Sequence, residues 1–435
     1  MNTPEATSAR QLDLFDHMLE TYVHGGGTLS NASLYRELGE RAGIPESVWK
    51  EPVDLGPNQP GHSVLKRRVR WWQQGLRQLG LLERDEERGR GFWRITPKGR
   101  NKLTPATPGR VLLGFSTDLG IALWGDAADV FVSLDQPIAL CLSSLPYPLA
   151  KPRAYGNPTA HVYVDWTLRL LEPITKHLMP GGSICLNLSN DIFEPNSPAR
   201  SDYLERLVIG LKDRLGLWKM ALDPWVNPTK PPGPLRWASI TKQHLNVGWE
   251  PVYIFCNDPV IWMAKNQRVL EPHSERHLAY VRQGGAKKAQ SNGDGAYRLY
   301  PGSFGHETAG RIPKNVRILP HRCSDKERAR KMAIAQGLPV HGATMPLKLA
   351  QFYIEYLTER GQMVVDPCAG WLTTARAAEL AGRHWACTEM MGEYILGGAN
   401  RFRTAPGFEL FGTFGNMESK HENGIGVDHH AGLIC

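Results

Sequence analysis

The chain has 435 residues, 41% hydrophobic and 22% charged, enough apolar material for two or three domains with real cores. No apolar run is long enough to span a bilayer, and the polar stretch Met1 to Arg10 lacks the apolar segment of a secretory signal, so a cytoplasmic setting is expected. The 7 cysteines are odd in number and form no C-x-x-C pair, which argues against a disulfide scaffold and a zinc site, so no metal is expected. A formal net charge of +8 suits a polyanionic partner, because neutralising phosphates releases counterions.

Apolar residues fall at helical spacing from Gln11 to Val23, and Ser30 to Ala42 reads as a second helix. His62 to Leu79 reads as a third. Its polar faces carry Lys66, Arg67, Arg68, Arg70, Gln73, Gln74, Arg77 and Gln78; its buried stripe is Leu65, Val69, Trp72, Leu76 and Leu79. Leu81 to Arg84 and Gly91 to Thr96 read as two strands joined by a charged turn. Helices followed by a hairpin resemble a winged helix-turn-helix, in which a basic helix bearing Arg67 and Arg70 enters a DNA major groove. A solvated arginine-rich face is the plain alternative. Leu103 to Gly109 has the composition of a linker.

Val111 to Leu123 and Val130 to Val132 are apolar and read as strands or strand–helix edges. Pro137 to Leu142 is a continuous apolar run, suited to a central parallel strand buried on both faces. Ser143-Ser144-Leu145-Pro146-Tyr147 follows at its carboxyl end, where open α/β sheets place ligands. An amphipathic helix from Val162 to Leu178, the turn Pro180-Gly181-Gly182 and a strand from Ser183 to Leu188 complete a βαβ unit. Trp225 to Pro234 holds too many prolines for a helix or central strand, and Asn246 to Phe255 ends in a strand-like run. Lys265 to Arg330 is basic, has interleaved aromatics and lacks sustained periodicity; Gln283 to Gly295 reads as flexible.

Met345 to Leu357 reads as a helix ended by Gly361, and Met363-Val364-Val365 as a short buried strand. The turn Asp366-Pro367-Cys368-Ala369-Gly370, a helix from Thr373 to Ala381, a strand from Trp385 to Thr388 and then Glu389 make a Rossmann-like βαβ unit. An acidic residue at the end of the second strand suits a pair of ribose hydroxyls. Thr404 to Cys435 has no strong pattern; Asp428-His429-His430 reads as a polar terminus rather than a metal site.

In this order, Ser144-Leu145-Pro146-Tyr147 and Asp366 to Thr374 resemble the catalytic and cofactor motifs of the β group of DNA amino-methyltransferases. These enzymes transfer a methyl group from S-adenosylmethionine to the exocyclic amine of adenine or cytosine. The resemblance covers roughly residues 110 to 403 and rests on several motifs in one order, since each alone is weak. It implies a Rossmann-like α/β sheet with circularly permuted motif order, double-stranded DNA as partner and a homodimer. With the basic front domain, the expected organisation is 1–105 winged helix, 106–260 catalytic half, 261–335 target-recognition insert, 336–410 cofactor half and 411–435 tail.

The resemblance also assigns roles. The Ser144 side chain and the Leu145 carbonyl accept the two amine hydrogens, Pro146 shapes the turn, and Tyr147 stacks on the flipped base. Asp366, Pro367, Cys368, Ala369, Gly370, Thr373, Thr374 and Glu389 form the cofactor site, with His341 and Thr344 at the methionine end. Lys151 and Arg153 lie in a loop that clamps phosphates or fills the gap left by the base, or is simply structural. Lys230, Arg298, Arg311, Lys314 and Arg317 are candidate DNA contacts, and Glu250 a weaker candidate for the base pocket. Serine at the first motif position occurs with both target bases; likeness to stand-alone bacterial and prophage enzymes favours adenine-N6, with cytosine-N4 the alternative.

Three positions depart from the family pattern. Leu145 replaces a proline that restricts φ. Trp371 and Leu372 replace a serine and a glycine, and put bulk where backbone passes close to a ligand. These departures make a non-catalytic DNA-binding regulator one rival reading; an RNA methyltransferase is a second.

Overall fold

The computed structural model describes residues 18, 21–22, 27–41, 44, 46–50, 52–53, 62–78, 82–96, 104–149, 156–292, 297–342 and 344–411. The chain divides into two units, Met1–Lys102 and Leu103–Cys435.

In the first unit, β1 (Thr28–Ser30) leads into α1 (Asn31–Arg41) and the short α2 (Glu46–Lys50). A two-stranded pair, β2 (Pro52–Val53) and β3 (His62–Ser63), precedes α3 (Val64–Gln78). β4 (Leu82–Arg84) and β5 (Phe92–Ile95) then form a hairpin, and β1 pairs with β5 to give the order β1-β5-β4. Val69 and Leu76 of α3 bury against Met18, Tyr22, Leu34 and Leu38, as the apolar stripe requires. Arg67, Arg70, Trp71, Gln74 and Arg77 are exposed on the same helix. Gln73 is not among them. It is fully buried, and its amide donates to Tyr22 Oη and Asn31 Oδ1, both at 2.9 Å. Polarity pointed it outward; a buried amide with hydrogen-bond partners pins α3 to its neighbours instead.

The second unit is built on a ten-stranded mixed sheet of order β14-β10-β11-β9-β8-β15-β16-β7-β6-β17. Its strands are β6 (Leu112–Ser116), β7 (Gly120–Trp124), β8 (Ile138–Ser143), β9 (Leu178–Asn187), β10 (Trp218–Val226), β11 (Trp249–Cys256), β14 (Arg317–Ile318), β15 (Met363–Asp366), β16 (His384–Glu389) and β17 (Glu409–Leu410). β9, β8, β15, β16 and β7 run parallel. β8 is buried along its whole length, the sequence consequence of a strand covered on both faces. β9 begins five residues before the expected Ser183, because Pro180-Gly181-Gly182 forms an irregularity inside the strand rather than a turn before it.

Helices cover both faces. α4 (Ala127–Phe131), α5 (Ala160–Lys176) and α6 (Tyr203–Leu215) pack on one, with Phe131, Leu171 and Leu207 in the core. α8 (Ser324–Ala335), α9 (Leu347–Leu357), α10 (Thr373–Leu380) and α11 (Gly392–Ala399) pack on the other, around Tyr353, Ile354 and Trp371. Val130 and Phe131 are thus helical, with Asp126 capping α4. Between β11 and β14 the chain forms α7 (Glu275–Arg282) and the hairpin of β12 (Gln290–Asn292) and β13 (Tyr297–Leu299), where no periodicity was visible. Short elements give too few repeats for a period to show. No helix among the described residues is long and apolar enough to cross a membrane.

Candidate active site

Parallel strands place their carboxyl ends side by side, so β8 and β15 deliver the two distant motifs to one place. A cavity of about 730 Å³ opens there, lined by Ser144 to Tyr147, His341, Thr344, Asp366 to Trp371, Thr373, Thr374 and Glu389. All fourteen predicted catalytic and cofactor-site residues line it. The two motifs are also joined chemically: Ser143 Oγ donates to Asp366 Oδ1 at 2.7 Å, and Thr374 Oγ1 donates to the Leu142 carbonyl at 3.1 Å.

At the cofactor turn, Cys368 N donates to Asp366 Oδ1 at 3.0 Å. Gly370 N and Met391 N each donate to one oxygen of Glu389, both at 2.8 Å. Burial pushes the Glu389 carboxyl up to about 7, against the pull of these backbone donors. Burial likewise raises Asp366 to about 6, with Ser143 opposing. Gly370 has φ +53°, and a Cβ there would meet His341 Nε2 at 2.9 Å, so glycine both permits the turn and admits the imidazole. His341 stands edge-on to Tyr394 with centroids 4.6 Å apart.

Trp371 and Leu372 do not obstruct the cavity as their bulk suggested. Both side chains turn into the core, where Trp371 is 1% exposed and Leu372 0%. Space for them comes from Gly397 and Gly398 of α11: a Cβ on Gly397 would lie 2.9 Å from Trp371 Nε1, and one on Gly398 2.7 Å from Leu372 Cδ1. Leu372 adopts a left-handed conformation, φ +57°, which costs a non-glycine residue about 1–3 kcal/mol. Arg401 braces the turn by donating to the Trp371 carbonyl and Thr373 Oγ1 while pairing with Asp325. We expect Gly398→Ala to lower stability by about 1–3 kcal/mol through overpacking, and Leu372→Ala to suppress most of that loss. Denaturant unfolding of the two single variants and the double variant measures the coupling.

At the catalytic turn, Ser144 Oγ and Tyr147 Oη both donate to Asn187 Oδ1 at 3.1 Å, and lie 3.1 Å from each other. Asn157 Nδ2 donates to the Tyr147 carbonyl at 2.7 Å. Tyr147 Oη also reaches Glu250 Oε2 at 3.4 Å, and Glu250 pairs with Lys230 at 3.0 Å. Leu145 is buried among Tyr163, Leu168 and Leu188, so packing restrains the segment where a proline ring does not.

The structure separates the other predicted contacts. Lys230 lines the cavity. Arg317 is mostly buried, lies 4.2 Å over Phe352 and pairs with Glu271, a structural placement rather than a base-reading one. Arg311 pairs with Glu271 while half exposed; Arg298 and Lys314 are exposed. Arg67 and Arg70 lie on the open face of α3. Lys151 and Arg153 lie outside the described residues, as does Asp428 to His430. Sequence reasoning missed Asn187, Asp126, Asp191, Tyr394 and Arg401; each belongs to an element with no motif around it.

The cavity holds five carboxylates, from Asp126, Asp191, Glu250, Asp366 and Glu389, against one lysine. Such a lining suits a cationic ligand with ribose hydroxyls rather than a phosphorylated one. Thr344 Oγ1 is buried there without a hydrogen-bond partner among the described residues, a polar group left for a ligand's polar end. Among the described residues no group of side chains could hold a metal ion, and the six described cysteines are free.

A doubly covered mixed sheet with an acidic turn at its switch region defines a Rossmann-like methyltransferase class. Residues 138–399 match the family described as DNA methylase, and the chain belongs to that family. Residues 13–104 match the Mrr N-terminal domain. The chain is 30% identical over 293 residues to the type II methyltransferase M.PvuII of Proteus hauseri, covering 66% of this chain and 85% of that protein. The solved PvuII DNA methyltransferase (cytosine-N4-specific) aligns with TM-score 0.53 and 26% identity, over 71% of this chain and 95% of its own. The protein is therefore a DNA amino-methyltransferase whose methyl donor is S-adenosylmethionine.

Proposed function

We propose that the protein methylates the N4 amine of cytosine in double-stranded DNA. The carrying observation is the hydroxyl pair of Ser144 and Tyr147 held on one acceptor, Asn187 Oδ1. A hydroxyl has one proton and two lone pairs. With its proton committed to Asn187, Ser144 Oγ turns lone pairs outward and can only accept. An exocyclic amine needs such an acceptor for each hydrogen, since losing electron density to the ring makes its nitrogen a poor nucleophile. The Leu145 carbonyl serves as the second, and the Tyr147 ring bears on the flipped base. When bound, S-adenosylmethionine would supply an electrophilic methyl group for the amine. Glu389 would receive the ribose hydroxyls, and His341 and Thr344 would hold the methionine end. The cytosine-N4 specificity of the PvuII relative favours cytosine over the adenine-N6 expectation. The winged first unit, with Arg67 and Arg70 outward, and the segment from 261 to 335, with Arg298, Arg311 and Lys314, are the proposed DNA readers.

The test is incubation with tritiated S-adenosylmethionine and unmethylated bacterial DNA, followed by separation of nucleosides. Label in N4-methylcytosine supports the reading, and label in N6-methyladenine overturns it. We further expect Asn187→Ala to lower kcat by about 10²-fold, with cofactor Kd unchanged, because the Ser144 hydroxyl loses its fixed orientation. Single-turnover methylation beside calorimetric cofactor binding checks this; equal loss in both would make Asn187 merely structural.

A further inference from the structure

The connection between β10 and β11 lies at the cavity end of the sheet. β11 is antiparallel to β9 and β10 antiparallel to β11, so β10 finishes where β8 and β15 finish. Lys230 and Glu250, near its two ends, line the cavity. Val247 N donates to the Gly233 carbonyl at 2.8 Å and closes the residues between them into a strap. A Cβ on Gly233 would lie 4.0 Å from Asp191 Oδ2, another lining group, which fixes the strap's root at the cavity rim.

The strap has internal order. Leu235–Ile240 forms one turn of π-helix. Trp237 packs near Phe193 with centroids 6.4 Å apart, and the Arg236 guanidinium lies 4.4 Å over the Trp237 ring. His244 meets Phe193 edge-on at 5.3 Å. Yet Leu235 is 67% exposed and Ile240 69%, at the two ends of this anchored turn. From Asn227 to Gly248 there is no aspartate or glutamate, while Lys230, Arg236 and Lys242 are basic. Exposure alone does not select this loop: Val260 is 90% exposed but follows β11 at the opposite end of the sheet.

We infer that this strap is the wedge that enters the duplex when the target base leaves it, with Leu235 and Ile240 as the inserting side chains. The inference rests on the reading that the cavity receives a flipped base. Extruding a base breaks stacking on both sides and leaves an apolar gap that water fills poorly. Apolar side chains inserted at the step offset that cost. They must sit beside the receiving cavity, be presented on an ordered segment, and be flanked by cations for the neighbouring phosphates, with no carboxylate on the segment itself to repel them. The strap meets each condition.

The test uses Leu235→Ala, Ile240→Ala and the double variant of the full chain. The probe is a short duplex built around the site mapped from methylated genomic DNA, with 2-aminopurine beside the target. Wild-type protein raises the fluorescence as the stack opens. The double variant is expected to bind S-adenosylmethionine normally, to give a much smaller rise, and to methylate at least tenfold more slowly. An abasic site opposite the target, which already weakens the stack, should restore its rate to within about threefold of wild type. Unchanged fluorescence and rate, an equal loss on both duplexes, or lost cofactor binding would overturn the wedge. No fluorescence rise with wild-type protein would instead overturn the flipped-base reading, and the wedge with it.

Discussion

Replacing Tyr147 with alanine is expected to lower kcat on duplex DNA by about 10²–10³-fold while leaving the Kd for S-adenosylmethionine within about threefold. The magnitude follows from what one side chain does at once. Its ring contributes the stacking face, worth about 1–3 kcal/mol per base. Its hydroxyl shares Asn187 Oδ1 with Ser144 and touches Glu250, so alanine also releases the network that aims Ser144. Burial, with Glu250 nearby, raises the Tyr147 phenol well above its ordinary value, so it stays protonated throughout the working range and serves as a neutral donor. Tyr147→Phe keeps the ring and should cost only about tenfold. Rapid-quench methylation with isothermal calorimetry separates the two quantities. If alanine and phenylalanine lower kcat alike, stacking has no part in the reaction.

Glu389→Gln is expected to weaken S-adenosylmethionine binding by at least about 100-fold at pH 8, since it removes a buried charged acceptor from the proposed ribose site. It should also change how stability depends on pH. Glu389 sits at about 7 and Asp366 at about 6, each raised above its unfolded value. A carboxyl shifted upward contributes its stability below the unfolded value and loses it as pH rises through the folded one. For Glu389 the shift from 4.5 to about 7 corresponds to about 3 kcal/mol lost by pH 8. Tm of the free protein should therefore fall between pH 5 and 8. In Glu389→Gln the fall should be shallower, with the Asp366 share remaining. Cofactor affinity of the wild type should rise over the same window, because the ionised carboxylate is the better acceptor for both hydroxyls. Thermal scans and calorimetry at four pH values check this; an unchanged slope in the variant would show that Glu389 does not titrate there.

The buried carboxylates therefore trade free-protein stability for a site prepared to receive a cationic ligand. The strain at Leu372 has a similar character. It sits in a left-handed conformation that glycine would adopt freely, and its side chain is held by the space that Gly398 leaves. A family position can thus change from glycine to leucine without blocking the ligand, provided a neighbouring helix yields volume. The same compensation holds at Leu145, where packing restrains a segment that lacks the family's proline ring.

Much of this was legible locally. Ile138 to Leu142 is an unbroken apolar run, the composition that suits a strand covered on both faces. Asp366, Gly370 and Glu389 were readable because a tight turn and the following strand impose fixed chemistry at short spacing. The amphipathic stripe of α3 likewise gave its buried face, apart from Gln73, whose partner Tyr22 lies 51 residues away. Long-range pairing settled the remainder. Asn187 carries no motif and gains meaning only because β9 runs parallel to β8 and brings it under Ser144 and Tyr147. Lys230 reads as a generic basic residue until the hairpin of β10 and β11 sets it against Glu250 at the rim. Trp371 and Leu372 look obstructive until α11 supplies Gly397 and Gly398. Local pattern records which backbone shapes a segment tolerates; the direction in which a side chain points, and what it meets there, depends on strands and helices hundreds of residues apart.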